Sequence, residues 1–470
     1  MSRKYKKPTI WENIKIHGLA DKGKGVGRSE DGTKIAFVEK TAPGDVVDVR
    51  IQKKKNDVGE GVAVVYHELS KDRVEPFCEH FGICGGCKLQ HIDYQAQIKH
   101  KDQIVYDALT RIGKVKVGEF LPILGAEDTQ YYRNKLEFAF SNRRWITDEM
   151  MLAGAPKEHN VLGFHRPGSF DKIVHINHCF LMRDPMNEIR LYMHEVATEQ
   201  NLEYFDMKLG KGYLRNVMIR ISTLGQILVV MQFFYEDEAK RKAYLDAIKT
   251  RFPDITSLQY CINGTGNDSL YGKKIDTYYG KGYIEEDLGD VRFRIGPQSF
   301  FQTSTKQAVN LFDTVVEFAD FQGTENVYDL YTGVGSIGLY VAKKCKQVVG
   351  IEEIEDAIKD AKENATRNNI KNTVFYAGDV KNIMTDEFAT KHGKPDILIT
   401  DPPRAGMHEQ VVAMLLKLEA PRIVYVSCNP ATQGRDLQWL SAKYDVVKSR
   451  AVDMFPYTHH IENVVLLKLR

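Results

Sequence analysis

The sequence predicts a multidomain α/β protein: a small β-barrel in front, an α+β region in the middle and a Rossmann-like, doubly wound sheet at the end. Three observations carry that expectation. A chain of 470 residues, 43% of them hydrophobic, is long enough for about three cores at roughly 150 residues per domain. Its first 70 residues read as short alternating strands broken by glycine. From about Val291 onward, apolar strands alternate with helical stretches, the pattern of an open, mostly parallel sheet. The expected division is 1–70, 71–290 and 291–470.

In the front segment, strands are expected at 13–17, 34–38, 46–52 and 61–67, with a turn rich in Gly23, Gly25 and Gly27 after the first. A barrel of this kind often holds nucleic acid. Lys53-Lys54-Lys55 falls in its last hairpin, where it reads equally as a solvated turn or a phosphate contact. Residues 1–60 hold 14 Lys and Arg against 9 Asp and Glu, a local +5 in a chain of net +2. That balance suits a polyanionic partner without requiring one. The longest apolar runs, such as 227–231, fall far below the ~20 residues that span a bilayer, and the N-terminus lacks the apolar core of a signal peptide. The expectation is a cytoplasmic, soluble monomer with no membrane partner.

The middle segment reads as a cysteine- and glycine-rich loop at 77–92, a helix at 94–112, strands at 136–140, 172–176, 217–222, 227–234 and 257–262, and a charged helix near 236–251. Seven cysteines, an odd number without a secretion signal, argue against a disulfide framework. Cys78, Cys84 and Cys87 are spaced so that one loop offers three thiolates to a metal centre, with Gly85 and Gly86 permitting the tight path. Three clustered cysteines with a distant fourth suit a [4Fe-4S] cluster, while zinc, which more often uses paired C-x2-C knuckles, stays open. Cys261 and Cys345 fit apolar runs as core residues.

In the last segment, strands are expected at 326–330, 347–351, 373–376, 396–400 and 422–426. A final pair at 446–453 and 461–469 has no helix between its members and must be an antiparallel hairpin. Gly333-Val334-Gly335-Ser336-Ile337-Gly338 matches G-x-G-x-x-G between a strand and a helix, and Glu352 closes the next strand where a ribose-diol acceptor belongs. That combination points to a nucleotide-type cofactor. S-adenosylmethionine (SAM) is favoured over a nicotinamide dinucleotide by the hairpin ending, by Asp379 after the third strand and by Asp401-Pro402-Pro403-Arg404 after the fourth. Asp379 reads equally well as a helix N-cap. The fourth residue of the Asp-Pro-Pro motif is Arg404 rather than an aromatic ring, which argues against an amino nitrogen as methyl acceptor.

Ser427-Cys428-Asn429-Pro430 follows the fifth strand, so the Cys428 thiol emerges at the cofactor edge. Taken alone, Cys428 could be an ordinary small core residue. A thiol there has a purpose if the methyl acceptor is an unactivated ring carbon, because C5 of a pyrimidine becomes nucleophilic only after a thiolate adds to C6. At these residues the sequence resembles the RNA uracil-C5 methyltransferases, in particular the iron-sulfur 23S ribosomal-RNA type (RumA-like) with an N-terminal TRAM domain. The resemblance spans nearly the whole chain and rests on the TRAM-like front, on Cys78-x5-Cys84-Gly85-Gly86-Cys87 with Cys179, and on Phe301-Gln302. It rests equally on Asp329-Leu330-Tyr331-Thr332-Gly333, on the motifs at 401–406 and 427–432, and on Ile461-Glu462-Asn463-Val464-Val465.

The resemblance implies that Cys428 is the nucleophile and that Glu462, otherwise an unremarkable strand-start residue, is the base that removes the C5 proton. It implies cofactor contacts from Gln302, Tyr331, Gly333, Ser336, Glu352, Asp379 and Asp401, Cys179 as the fourth cluster ligand, and a substrate or organising role for Arg404. RNA is the implied partner, ribosomal RNA first. Radical chemistry is not expected, because C-x3-C-x2-C is absent. Aromatic and cationic groups that could meet unstacked bases and phosphates lie in Tyr131-Tyr132-Arg133-Asn134-Lys135 and Gly163-Phe164-His165-Arg166. A transfer-RNA target and a non-catalytic RNA-binding assembly factor remain as alternatives.

Overall fold

The structure, a computed structural model, describes residues 8–154 and 158–470. Strands Ile10–Leu19, Gly25–Arg28, Ile35–Glu39, Val46–Lys55 and Val58–Glu68 close into a five-stranded barrel around Trp11, Ile14, Ile16, Val38, Val47 and Val49. The glycine-rich stretch expected as a turn is in part a strand. A Cβ on Gly25 would lie 2.2 Å from Thr41 Oγ1, and one on Gly27 2.6 Å from Ile14 Cγ2, so these glycines allow close packing rather than chain reversal. Lys53, Lys54 and Lys55 end the fourth strand, exposed, with the Lys54 ammonium 5.6 Å from the Trp11 ring centre.

A seven-stranded sheet follows, with Lys135–Ser141 near its middle between Leu214–Ile221 and Val161–His165. Helices Met186–Glu199 and Glu238–Arg251 contribute Ile189, Met193, Leu245 and Ile248 to the core beneath it. Cys261 is buried in this sheet and Cys345 in the core of the C-terminal unit, as expected from their apolar surroundings.

The third unit is an eight-stranded sheet. Its strands β1 (Asn326–Leu330), β2 (Gln347–Glu352), β3 (Thr373–Ala377), β4 (Ile397–Thr400), β5 (Arg422–Ser427), β6 (Tyr444–Val452) and β7 (Glu462–Leu469) run in the order β3-β2-β1-β4-β5-β7-β6. The first five are parallel, and β7 is antiparallel to both β5 and β6. Reversal at β7 brings its first residue to the edge where the parallel strands end. The eighth strand, Val117–Leu124, comes from the middle of the chain and pairs parallel with β6. The helix before it, Tyr94–Asp107, continues as a π-turn over Ala108–Ile112, where a Cβ on Gly113 would lie 2.8 Å from the Gly434 carbonyl. No helix among the described residues is long and apolar enough to cross a membrane.

Candidate active site and cysteine cluster

The turn after β1 is built for close approach. Tyr331, Gly333 and Gly335 all have positive φ (64°, 58° and 81°), a conformation that costs a non-glycine residue about 1 kcal/mol. Asp329 holds the turn from beneath: its Oδ2 accepts the Gly338 N–H at 3.0 Å and the Thr332 hydroxyl. A Cβ on Gly338 would lie 2.8 Å from that oxygen, so only glycine fits. Glu352 at the end of β2 accepts the Gly333 N–H at 3.1 Å through Oε2 and the Ile354 N–H at 3.0 Å through Oε1, which presents its carboxylate to the turn. Ser336 begins the next helix.

Asp379 does serve as an N-cap, accepting the Lys381 N–H at 3.0 Å and pairing with the Lys381 ammonium at 2.8 Å, on the same sheet edge. Gln302 is buried, and its carbonyl accepts from Asn134 Nδ2 at 3.0 Å. Its side-chain amide has no partner among the described residues.

Cys428 and Glu462 meet by register. Ser427 on β5 faces Asn463 on β7, which sets the residue after β5 beside the first residue of β7. Hydrogen bonds under the pair fix that register: Asn463 Nδ2 donates to Gln433 Oε1 at 2.7 Å, and Gln433 Nε2 donates to the Tyr425 carbonyl at 3.0 Å. Arg404 joins from the loop after β4, where its carbonyl accepts from Asn429 Nδ2 at 3.0 Å and Thr432 Oγ1 at 3.2 Å. The loops after β4 and β5 are therefore clasped together.

Burial pushes the Cys428 thiol up to about 11, and the charges of Glu462 and Asp401 add to the rise while the Arg404 guanidinium opposes it. Burial, then the Asp401 charge, raises Glu462 well above the usual carboxylate range, again against Arg404. Asp401 itself is raised to about 7 by burial and by the charge of Asp329. Arg404 is thus the cation on which ionisation of both the thiol and the carboxyl depends.

The segment from Asp453 to Ile461, which delivers Glu462, is tied to the middle of the chain. Lys101 Nζ reaches Asp453 Oδ1 at 2.6 Å, with both side chains essentially unexposed, and Tyr94 donates to Asp453 Oδ2 at 3.0 Å. The Tyr457 carbonyl accepts the N–H groups of Lys88 and Leu89 at 2.8 and 3.0 Å, directly after Cys87. The Tyr132 hydroxyl donates to the Pro456 carbonyl at 3.1 Å. Lys101→Met would leave Asp453 buried without its counter-charge and is expected to cost about 3–5 kcal/mol. Denaturant unfolding measures the loss, and the double variant Lys101→Met/Asp453→Asn should recover at least half of it.

Of the expected substrate groups, Arg133 reaches this segment: its guanidinium lies 5.8 Å from the Phe455 ring centre, and burial depresses His460, with the Arg133 charge a minor addition. Lys135 is paired with Glu137 at 2.8 Å. Tyr132 is engaged through its hydroxyl, Tyr131 is 42% exposed, and Arg166 stacks on Trp145 at 3.9 Å. Sequence reasoning missed Phe300, 72% exposed two residues before Gln302, and His460, two residues before Glu462. Their proximity in sequence to those two residues was the available signal.

Cys78, Cys84, Cys87 and Cys179 line one small, mostly apolar cavity together with His80, and all four are free thiols. Burial raises Cys84 and Cys87 to about 12 and Cys179 to about 11, and the charges of neighbouring cysteines add to each rise. Among the described residues, no group of three or more His, Cys, Asp or Glu side chains converges on a common metal-ion position.

Residues 221–470 match the family described as tRNA (Uracil-5-)-methyltransferase, and residues 12–64 match the TRAM domain. An uncharacterised RNA methyltransferase of Bacteroides thetaiotaomicron is 47% identical over 456 residues, covering 96% of this chain and 100% of that protein. One of Porphyromonas gingivalis is 48% identical, covering 97% and 99%. The crystal structure of Pyrococcus abyssi tRNA (uracil-54, C5)-methyltransferase in complex with S-adenosyl-L-homocysteine superimposes with a TM-score of 0.74 at 30% identity, covering 96% of this chain and 99% of that one. With a TRAM domain in front and these relatives over nearly its whole length, the chain is a SAM-dependent RNA methyltransferase and belongs to the tRNA (uracil-5-)-methyltransferase family.

Proposed function

We propose that the protein methylates C5 of a uridine in 23S ribosomal RNA, with Cys428 as nucleophile and Glu462 as base. One observation above the others supports this reading: the β5–β7 register sets Cys428 beside Glu462 at the edge that carries the glycine turn. SAM, when bound, supplies an electrophilic methyl group. The Cys428 thiolate adds to C6 of the flipped uracil, and the electron pair displaced onto C5 and O4 makes C5 the methyl acceptor. Glu462 then takes the C5 proton, the C5–C6 double bond re-forms, and the C6–S bond breaks to release the thiolate. Phe300, exposed beside Gln302, offers a face on which the flipped base can stack.

Gln302, Tyr331, Gly333, Ser336, Glu352, Asp379 and Asp401 would hold the cofactor. Glu352 suits the ribose diol, and Asp401 suits the cationic methionine end. Arg404 acts on both ionisable groups, so Arg404→Gln raises Cys428 and Glu462 together. The rising limb of the pH–rate profile is then expected to move to higher pH by about one unit, with about tenfold slower methylation at pH 7.5 and recovery in more alkaline buffer. Single-turnover rates across pH check it.

The four thiols fit a [4Fe-4S] cluster by their chemistry. A single zinc ion needs its donors about 2.3 Å from one point, whereas a cubane gives each iron its own thiolate and spreads them around a cavity. Cys78, Cys84, Cys87 and Cys179 would be the ligands, leaving no open iron. Anaerobically prepared protein is expected to contain about four irons and four sulfides per chain, and Cys87→Ser to lose the visible absorption.

Ribosomal RNA is favoured by the cysteine motif. A transfer-RNA target is the second reading, favoured by the activity named for the Pyrococcus abyssi protein. Incubating separately purified ribosomal and transfer RNA, unmodified at uridine C5, with protein and SAM decides between them. 5-Methyluridine in ribosomal RNA alone supports the proposal, in transfer RNA alone the second reading, and in neither pool removes both.

A further inference from the structure

A cavity of about 400 Å³ opens beside the active site, between the seven-stranded sheet and the start of helix Thr305–Ala319. Ser304 occupies the N-cap of this 15-residue helix, yet no side chain caps its first-turn N–H groups. Ser304 is 1% exposed, lines the cavity, and its hydroxyl has no partner among the described residues. A buried hydroxyl left unpaired at an uncapped helix N-terminus is costly unless something else completes it.

Arg133 and Arg183 also line the cavity, Arg133 in a β-bridge with Ser304 itself. Their guanidinium groups donate to the carbonyls of Lys135 and Ser222, and neither is paired with a carboxylate among the described residues, so guanidinium N–H groups remain available. Lys306 also lines the cavity but is paired with Asp128 at 2.5 Å, and Glu127 is the other carboxylate there. Three cations against two carboxylates, with the positive end of a helix added, favour an anion. A tetrahedral oxyanion suits the set, because it can accept from the helix amides, from a hydroxyl and from a guanidinium fork at once.

We propose that this cavity binds a phosphate of the RNA backbone adjoining the methylated uridine. The proposal rests on the RNA-methylation reading and deepens it. Ser304 lies two residues from Gln302, a Cα path of at most about 8 Å, so a phosphate held here would sit within reach of the nucleotide at the active site. Arg133 connects the two places, lining the cavity while its guanidinium lies 5.8 Å from the ring centre of Phe455, on the segment that leads to Glu462. A backbone contact of this kind sets the position of the strand without reading its sequence.

The test uses the full chain with its RNA substrate and two variants, Ser304→Asp and Arg183→Gln. Aspartate is a good N-cap, so the first keeps the helix capped while placing a negative charge where the phosphate would lie. Each variant is expected to weaken RNA binding by about tenfold and to reduce the slope of log affinity against log salt by about 0.7, the value for one single-strand phosphate. Affinity for SAM, and the single-turnover rate at saturating RNA, should stay within about twofold of the native chain. Millimolar inorganic phosphate at constant ionic strength should compete with RNA on the native chain and not on Ser304→Asp. Native RNA affinity and salt slope in both variants would overturn the site while leaving the methylation reading intact. A loss of SAM affinity in Ser304→Asp would overturn it by assigning the anion to the cofactor. If the native chain forms no 5-methyluridine in any RNA, the methylation reading falls and this proposal with it.

Discussion

The Cys428→Ala variant is expected to bind SAM as the native chain does and to form no 5-methyluridine, a loss of at least about 10⁴-fold in single-turnover rate. The thiol lies after β5, while the cofactor turn lies after β1 and β2, so removing one sulfur leaves the turn and its supporting Asp329 untouched. Truncating a half-buried thiol to a methyl group changes packing little. Isothermal titration of SAM together with nucleoside mass spectrometry reads both halves of the expectation. Retained turnover would remove Cys428 as nucleophile. Lost SAM binding would mean that the side chain shapes the cofactor site instead.

Glu462→Gln is expected to stop the reaction one step later. Glutamine keeps the shape of the neutral acid that burial favours here, but it cannot accept the C5 proton. Addition and methyl transfer proceed, elimination slows by about 10²–10⁴-fold, and a covalent RNA–protein adduct accumulates. Denaturing electrophoresis with labelled RNA detects it. Normal turnover without an adduct would locate the base elsewhere. The pair of variants is informative together, since Cys428→Ala/Glu462→Gln should form no adduct at all.

How far the chain could be read in advance depended on whether a feature was local. The glycine turn, Glu352 and Asp401 belong to contiguous strand–turn–helix units, and the structure has them at the ends of their strands. The antiparallel ending followed from the lack of a helix between two apolar runs, and β6 and β7 are that hairpin. Glu462 was different: alternation along β7 marks it only as a strand-start residue, and family likeness singled it out. The Gly25–Arg28 strand was missed because glycine scores as turn, whereas in a small barrel it relieves crowding against Ile14, Ile16 and Thr41.

Strand Val117–Leu124 was missed because the sheet it joins is otherwise built from residues after 325. The buried pair Lys101–Asp453 joins positions 352 apart, and no window of local pattern contains both. Such long-range contacts give the middle of the chain its grip on the segment that carries Glu462. They also explain why the cysteine loop lies next to that segment, through Lys88 and Leu89 on Tyr457. Asp379 illustrates a different limit, because one carboxylate serves as helix cap at the same edge where a cofactor contact was expected.

The central claim is that Cys428 bonds to C6 of the uracil that is methylated. RNA containing 5-fluorouridine at the target position tests it directly, because fluorine cannot be removed as a cation by a carboxylate base and the methylated adduct cannot eliminate. Mass spectrometry of the digested complex is expected to find the peptide containing Cys428 joined to a 5-fluoro-5-methyl-5,6-dihydrouridine nucleotide, formed only when SAM is present. An adduct on another cysteine, or none while ordinary RNA is methylated at a normal rate, would contradict the account.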